Sequence, residues 1–170
     1  DSNLFKDLFK FKYLVLDHME ELAKEFINKI EQTKKVFTTV DLINFLKELE
    51  TFKANIDKFQ SGSNIDISGV LKLKPFDEDS GFINQHKTLY SAIQALKKIE
   101  QNKFGHWGVD EWREVKPKTI NDKIYLVLKN NGKPMHFVGI TEKINEISFD
   151  AKKLMRPLSI TNLFLIINIF

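Results

Sequence analysis

Eight basic side chains in the C-terminal third of the chain are of the type that contacts phosphate groups. Lysine donates charge-assisted hydrogen bonds to phosphate oxygens, and protein–DNA complexes draw much of their affinity from such contacts. The charge bias is small, because residues 104–153 hold nine Lys/Arg against seven Asp/Glu. Ordinary solvated lysines on helix surfaces are therefore the alternative interpretation. The candidate nucleic-acid-binding residues are Lys116, Lys118, Lys123, Lys129, Lys133, His136, Lys152 and Lys153.

Other titratable groups indicate no catalytic or metal site. His136 follows an apolar residue, so a satisfied ring on a short strand is favoured over a ligand role. His18, Glu21 and Glu25 fall near one helical face, as a metal pair would require, but no third ligand is evident. Glu20 and Glu21 point in different directions on a helix, which does not suit general acid–base catalysis. With no phosphate loop or nucleophile elbow, we expect no enzyme, cofactor or metal.

Two tryptophans, Trp107 and Trp112, lie in a short segment ahead of the last helical region. Tryptophan is frequent at the energetic centres of protein interfaces, so both are candidates for binding a partner. The alternative is that the segment docks on its own domain.

The composition indicates a soluble globular protein of one or two domains. Of its 170 residues, 42% are hydrophobic and 29% charged, and the net charge is only +3. Cysteine is absent, which excludes disulfides and fits a reducing cytoplasm. The N-terminus has no signal-peptide pattern. The sequence does not begin with an initiator methionine, so we expect it to be the C-terminal part of a longer product. The apolar tail 158–170 falls short of the roughly 20 residues needed to cross a bilayer, so no membrane partner is expected.

The first 75 residues show helical periodicity followed by turn signals. A second helical stretch spans Leu42 to Phe59, as one helix or as two with a bend near Thr51, and Thr38 or Thr39 can cap it. Ile65, Ile67 and residues 70–74 alternate like two short strands, a plausible wing. The first helix is indicated by Leu16, Met19, Ala23, Phe26 and Ile30 at steps of three and four.

The region after residue 75 contains an acidic loop, a helix and a second module. The loop covers residues 75–81, and a helical face follows from Leu89 to Ile99. In the second module, Thr119 to Asp122 resembles a capping box, and Asn131-Gly132 ends the helix that it begins. A short strand at residues 135–137 and a helix with Ile140, Ile144 and Ile147 inward complete the pattern.

These patterns predict a mainly α fold with short β-hairpins, arranged as tandem winged-helix modules of which the second is incomplete. The predicted boundaries are residues 1–75 for the first module, 76–117 for a loop, helix and tryptophan-containing linker, 118–153 for the first two helices of the second module, and 154–170 for an aberrant tail.

The second module resembles a known family. Residues 124–128 (IYLVL), 132–137 (GKPMHF) and 140–145 (ITEKIN) are similar to the HARE-HTH domain, a winged-helix family that includes the delta subunit of bacterial RNA polymerase. Residues 104–117 (FGHWGVDEWREVKP) resemble the linker of bacterial sigma-factor-like proteins that carry this domain. The resemblance covers roughly 50 residues, and in such domains a third helix reads bases.

The chain departs from this family after Lys153, where a third helix and a two-stranded wing are expected. Codons chosen for the family-like peptide AHAPTVNNELILDNKYF encode LMRPLSITNLFLIINIF when read one nucleotide late. That string is residues 154–170, seventeen matches in a row. We therefore predict that the tail is a frameshift product, and that sequence-specific DNA binding is impaired.

The resemblance implies a cytoplasmic, transcription-associated protein that binds RNA polymerase, double-stranded DNA or both. It implies a C-terminal fragment of a sigma-factor-like or delta-like regulator, with no small-molecule substrate. The alternative is a non-catalytic protein–protein interaction module that does not bind nucleic acid.

Overall fold

A computed structural model describes residues 4–6, 17–59, 66–72, 74 and 76–148. The chain forms two compact units, 1–116 and 117–170. The described residues are mainly helical and contain one two-stranded antiparallel sheet, as the composition and periodicity predicted. The hydrophobic core of the first unit extends from residue 5 to residue 109, across the boundary predicted near residue 75. The tail at residues 154–170, which we predict to be a frameshift product, lies outside the described residues.

The first unit is built from helices followed by a hairpin. Its strands pair with Ile99 opposite Val109. Fully buried side chains of the core include Phe26, Ile30, Leu42, Ile43, Leu46, Ile83, Ile93 and Ile99. The elements are α1 (Asp17–Thr33), α2 (Thr39–Lys47), α3 (Glu50–Ala54), a 3₁₀ turn (Ile56–Phe59), α4 (Ser68–Leu71), α5 (Ser80–Gln85), α6 (Lys87–Ala95), β1 (Ile99–Gln101) and β2 (Trp107–Val109).

Helices α1 and α2 confirm the apolar stripes predicted from their spacing. Ala23, Phe26 and Ile30 of α1 are buried, which places one face of this helix in the core. The Thr38 hydroxyl accepts a hydrogen bond from the Asp41 amide at 3.1 Å and so caps α2 as expected.

The second helical stretch is broken at a different place from the predicted bend near Thr51. The break falls at Glu48 and Leu49, and Leu49 provides no side-chain cap for α3. Glu25 of α1 takes that role, since its carboxylate accepts from the Glu50 amide at 3.2 Å and the Thr51 amide at 2.9 Å. A cap supplied from 25 residues away leaves no local sequence signal. It is a tertiary contact.

The wing predicted for the first module is wrong. Residues 68–71, predicted to form the turn at 68–69 and the start of the second strand, form α4 instead, and Ile65 lies outside the described residues. The Asp66 carboxylate accepts from the Ser68 amide at 2.9 Å, which turns the chain into a helix. The Ile67 amide donates to Asn84 of α5 at 3.1 Å, so this backbone bonds to a side chain rather than to a neighbouring strand.

The tryptophan-containing segment is part of the first core rather than a linker. Its strand β2 pairs with β1, and Phe37 forms a further antiparallel bridge to Trp107. Asn102 organises the turn, because its side chain accepts from the amides of Phe104 and His106. The turn also contains Gly105 at φ +88°, where a side chain would be strained.

A half-buried lysine joins the loop before α5 to the rest of the first unit. The Lys74 ammonium donates to the Glu78 carboxylate at 3.0 Å, to the Tyr90 hydroxyl at 2.6 Å and to Gln101 Oε1 at 2.6 Å. The side chains of Lys74 and Glu78 are only 18% and 6% exposed. The predicted solvated acidic loop is therefore corrected, because one of its carboxylates is buried and paired.

The same network continues to the hairpin and α2. The Gln101 amide donates to Glu78 at 2.8 Å and to the Gly105 carbonyl at 3.0 Å. The Trp107 indole donates to the Thr39 hydroxyl at 2.8 Å. Among the described residues, no buried side-chain nitrogen or oxygen lacks a hydrogen-bond partner.

The second unit, as far as it is described, consists of α7 (Ile120–Asn131) and α8 (Phe137–Ser148). Its buried side chains are Ile124, Leu126, Val127, Ile140 and Ile144. The short strand predicted at residues 135–137 is wrong, since Phe137 already begins α8. A strand needs a partner for its backbone groups, and the described part of this unit offers none.

None of the helices in the described ranges combines the length and the apolar character that crossing a bilayer requires.

We expect Lys74→Met to lower the free energy of unfolding of the first unit by about 2–3 kcal/mol, because it leaves the buried Glu78 carboxylate without its cation. Urea unfolding followed by tryptophan fluorescence measures this, as both tryptophans lie in that unit. Exposed Lys72→Met, two residues away, is the matched control and should change stability by less than about 0.5 kcal/mol. Adding Glu78→Gln to Lys74→Met should recover part of the loss. Equal stability of the two lysine variants contradicts this role.

We expect Glu25→Gln to destabilise the first unit by about 1 kcal/mol at pH 7, the usual value of a helix cap. Burial alone would raise the pKa of Glu25, but hydrogen bonds from Thr51 and the Glu50 amide outweigh it and hold that pKa below its ordinary value. The carboxylate therefore stabilises the fold above its unfolded pKa, about 4.3. This contribution disappears as the pH falls through the lower folded value.

Urea unfolding at pH 7, 5 and 3 tests this dependence. The difference in the free energy of unfolding between wild type and Glu25→Gln should become smaller between pH 5 and pH 3. The control is exposed Glu21→Gln on the same helix, which should have the same free energy of unfolding as wild type at pH 7. A difference that stays constant at all three values would show that Glu25 acts through packing rather than through its charge.

Candidate nucleic-acid interface

Helix α7 is fixed at both ends by the residues that the sequence predicted. The Thr119 hydroxyl accepts from the Asp122 amide at 3.2 Å, while the Asp122 carboxylate accepts from the Thr119 amide at 3.0 Å. This reciprocal pair is the predicted capping box, now confirmed. The helix ends at Gly132, which adopts φ +65° and needs no side chain there. A rigid rod of about 18 Å results from its 12 residues.

The candidate lysines that the structure describes in the second unit lie at the two ends of this rod. Lys118 precedes the capping residue and is exposed. Lys123, in the first turns, is half-buried. Lys129 and Lys133 are exposed beside the turn after α7, and the Lys129 ammonium lies 5.8 Å from the centre of the Tyr125 ring. The fold therefore gives two basic ends rather than one cluster.

The net positive charge of the chain belongs to the second unit, because acidic residues are fewer there. Residues 117–170 hold eight Lys/Arg against four Asp/Glu, a net charge of +4. Residues 1–116 hold eighteen against nineteen, a net charge of −1. The small overall charge thus hides a separation between the units. A net positive charge is the sign that favours the approach of a polyanion.

His136 is exposed in the extended segment before α8, not on a strand. Its ring packs against Phe137, with 4.2 Å between ring centres. Its Nδ1 accepts from the Val138 amide at 3.4 Å, a long hydrogen bond at the start of α8. The ring is thus a helix-capping group that stays accessible to a phosphate.

The remaining candidate lysines do not belong to the described helices of the second unit. Lys116 ends the first unit, is exposed, and donates its amide to the Trp112 carbonyl at 2.9 Å. Lys152 and Lys153 lie outside the described residues.

The two tryptophans differ sharply in accessibility. Trp107 is 3% exposed, meets the Tyr90 ring edge-on at 6.1 Å between centres, and is bonded to Thr39. Its indole ring is not available to a partner. Trp112 is only partly buried against the core and covers Gly108, where an added Cβ would lie 2.8 Å from the indole. A partner can therefore reach Trp112 but not Trp107 in the folded unit.

The described residues do not form the metal site considered for His18, Glu21 and Glu25. Glu25 is engaged in capping α3, and the side chain of His18 is outside the described residues. No group of three or more potential ligands occurs among the side chains that the structure describes.

A pair that sequence reasoning missed lies in the first unit. Lys47, at the end of α2, and His86, between α5 and α6, are 39 residues apart, and their side-chain nitrogens come within 3.2 Å. No spacing rule links two residues on separate helices, so no sequence signal indicated it.

Comparisons with protein-family models, curated proteins and solved structures give no match to this chain.

We expect single-tryptophan variants to report the difference in accessibility. Trp107→Phe leaves Trp112 as the emitting residue, and Trp112→Phe leaves the buried Trp107. Acrylamide should quench the emission of Trp112 several-fold more strongly than the emission of Trp107. Circular dichroism of both variants checks that they are folded. Similar quenching constants for the two folded variants would contradict the burial of Trp107.

Proposed function

We propose that this chain is a transcription-associated protein whose second unit binds double-stranded DNA. The observation that carries the proposal is the concentration of a +4 charge in the unit that also contains the HARE-HTH-like residue runs. A helix pair with exposed lysines at the ends of one helix suits the phosphates of a duplex, which are spaced along a groove. Because the first unit has a net charge of −1 and the second a net charge of +4, the proposal assigns DNA binding to the second unit alone.

In this proposal the described helices orient the module rather than read bases. Lys118, Lys129 and Lys133 contact phosphates, and His136 adds a donor when it faces one. In a winged helix, base reading belongs mainly to a third helix, which the sequence pattern places after Lys153. The unit is accordingly the opening half of a winged helix and binds DNA with little sequence preference. Neither a cofactor nor catalysis is part of this function.

RNA polymerase is the protein partner that the resemblance implies, and Trp112 is the residue proposed to contact it. Its partly exposed indole provides apolar area and an N–H donor on one rigid side chain. A non-catalytic adaptor that binds polymerase without DNA is the competing proposal. The acidic balance of the first unit is the observation in its favour.

We expect the full chain to bind a 20-base-pair duplex with an affinity that falls steeply with salt. Each phosphate contact contributes about 0.9 to the slope of log K against log salt, so Lys118→Gln, Lys129→Gln and Lys133→Gln together should lower it by about 2.7. Fluorescence anisotropy across a salt series measures this slope. The matched control carries the same loss of charge in the first unit, at exposed Lys35, Lys53 and Lys72.

Two outcomes separate the proposals. Equal slopes for the two triple variants would show that the second unit is not the DNA-binding surface. No binding at low salt, with capture of purified polymerase retained by wild type and lost in Trp112→Ala, would support the adaptor instead.

A further inference from the structure

An open groove of about 300 Å³ lies in the first unit and has no part in the proposed DNA binding. Its floor is apolar and includes Phe52 and Phe59, whose rings stack with 5.4 Å between centres. Ile56 stands at its edge and is 50% exposed, one of two large apolar side chains so exposed in the described ranges. The volume is at the lower end of sites that hold small molecules. The lining residues are Lys47, Phe52, Ile56, Phe59, Gln85, His86, Thr88 and Leu89.

The polar end of the groove is cationic. His86 Nδ1 lies 2.9 Å from the Phe82 carbonyl, which can only accept, so this nitrogen carries the ring proton. His86 Nε2 is then the acceptor for the Lys47 ammonium at 3.2 Å. An imidazole carries no negative charge, so it does not neutralise the ammonium. The described residues give Lys47 no carboxylate partner, so its charge is available to a bound anion.

The surrounding groups reinforce this polarity. Thr88 and Leu89 lie in the first turn of α6, where backbone N–H groups have no acceptor within the helix. The residue before this turn, His86, supplies no side-chain cap. No acidic side chain is among the described residues that line the groove. An anionic group is therefore favoured at one end and an apolar body along the rest.

We propose that this groove binds a small amphipathic carboxylate, with its carboxylate on Lys47 and its apolar chain over Phe52, Ile56 and Leu89. The inference is independent of DNA binding and goes beyond the expectation that no small molecule is involved. An apolar carboxylate fits both parts of the lining, whereas an apolar cation would place like charges together.

Octanoate is the probe that tests the proposal on the full chain. We expect saturable chemical-shift changes in ¹H–¹⁵N spectra at Thr88 and Leu89, with a Kd of about 1 mM or tighter for its ten heavy atoms. The amide of Val138, the other exposed apolar residue, should not move. Octylammonium, with the same chain and opposite charge, should bind at least about tenfold more weakly.

Substitutions at the polar end separate this site from non-specific apolar binding. Lys47→Met should weaken octanoate about tenfold, while Lys53→Met, an exposed lysine of α3 paired with Glu50, should leave it unchanged. Thr88→Glu suits the first turn of a helix and keeps the protein folded. It should reverse the preference, so that octylammonium binds better than octanoate, and Thr88→Gln is its neutral control.

The proposal is overturned if octanoate produces no saturable shifts at 10 mM, on the order of ten times the expected Kd. It is equally overturned if Thr88→Glu and Thr88→Gln bind both probes alike, because charge then has no role in the groove. Either result leaves the DNA-binding experiment unaffected.

Discussion

The ammonium group of Lys74 is the interaction on which the first unit depends. Its three N–H donors meet three acceptors on separate parts of the chain: Glu78, Tyr90 and Gln101. The ammonium also lies 5.8 Å from the centre of the Trp107 ring. Removing a lysine from water is costly, and only a complete set of partners offsets that cost. The loop, α6 and the hairpin must therefore take their positions together. If one of them is out of place, the Lys74 ammonium loses one of its three acceptors.

Glu25 shows the same dependence on distant partners at the edge of the core. Its carboxylate replaces the cap that Leu49 cannot provide, so α3 begins where α1 places an acceptor. The first unit is consequently held by contacts between residues far apart in sequence. The described part of the second unit depends instead on neighbours, since its capping box and glycine turn are local. The two units are thus stabilised in different ways.

This difference matches the chemistry proposed for each unit. A helix pair with local caps presents lysines at fixed positions, and the excess of positive charge there suits a polyanion. The first unit has a slightly negative net charge. It contains an open groove that forms only when its helices are assembled, and the Lys47 ammonium lies at one end of the apolar floor of this groove. Such a groove is suited to a small amphipathic anion and not to a long polyanion. The two proposed ligands therefore differ in chemistry and are assigned to different units of the chain.

The sequence by itself determined the local features. Spacing identified the buried face of α1, a threonine cap at Thr38 or Thr39, and both ends of α7, because each depends on residues within one or two turns. Tertiary structure decided the rest. The alternation in residues 70–74 predicted a strand after a turn at residues 68–69, but residues 68–71 form α4 and the described residues provide no neighbouring strand to pair with. The candidate lysines were visible as residue types, whereas the burial of Trp107 and the groove at Lys47 depend on helices that meet only in the folded chain.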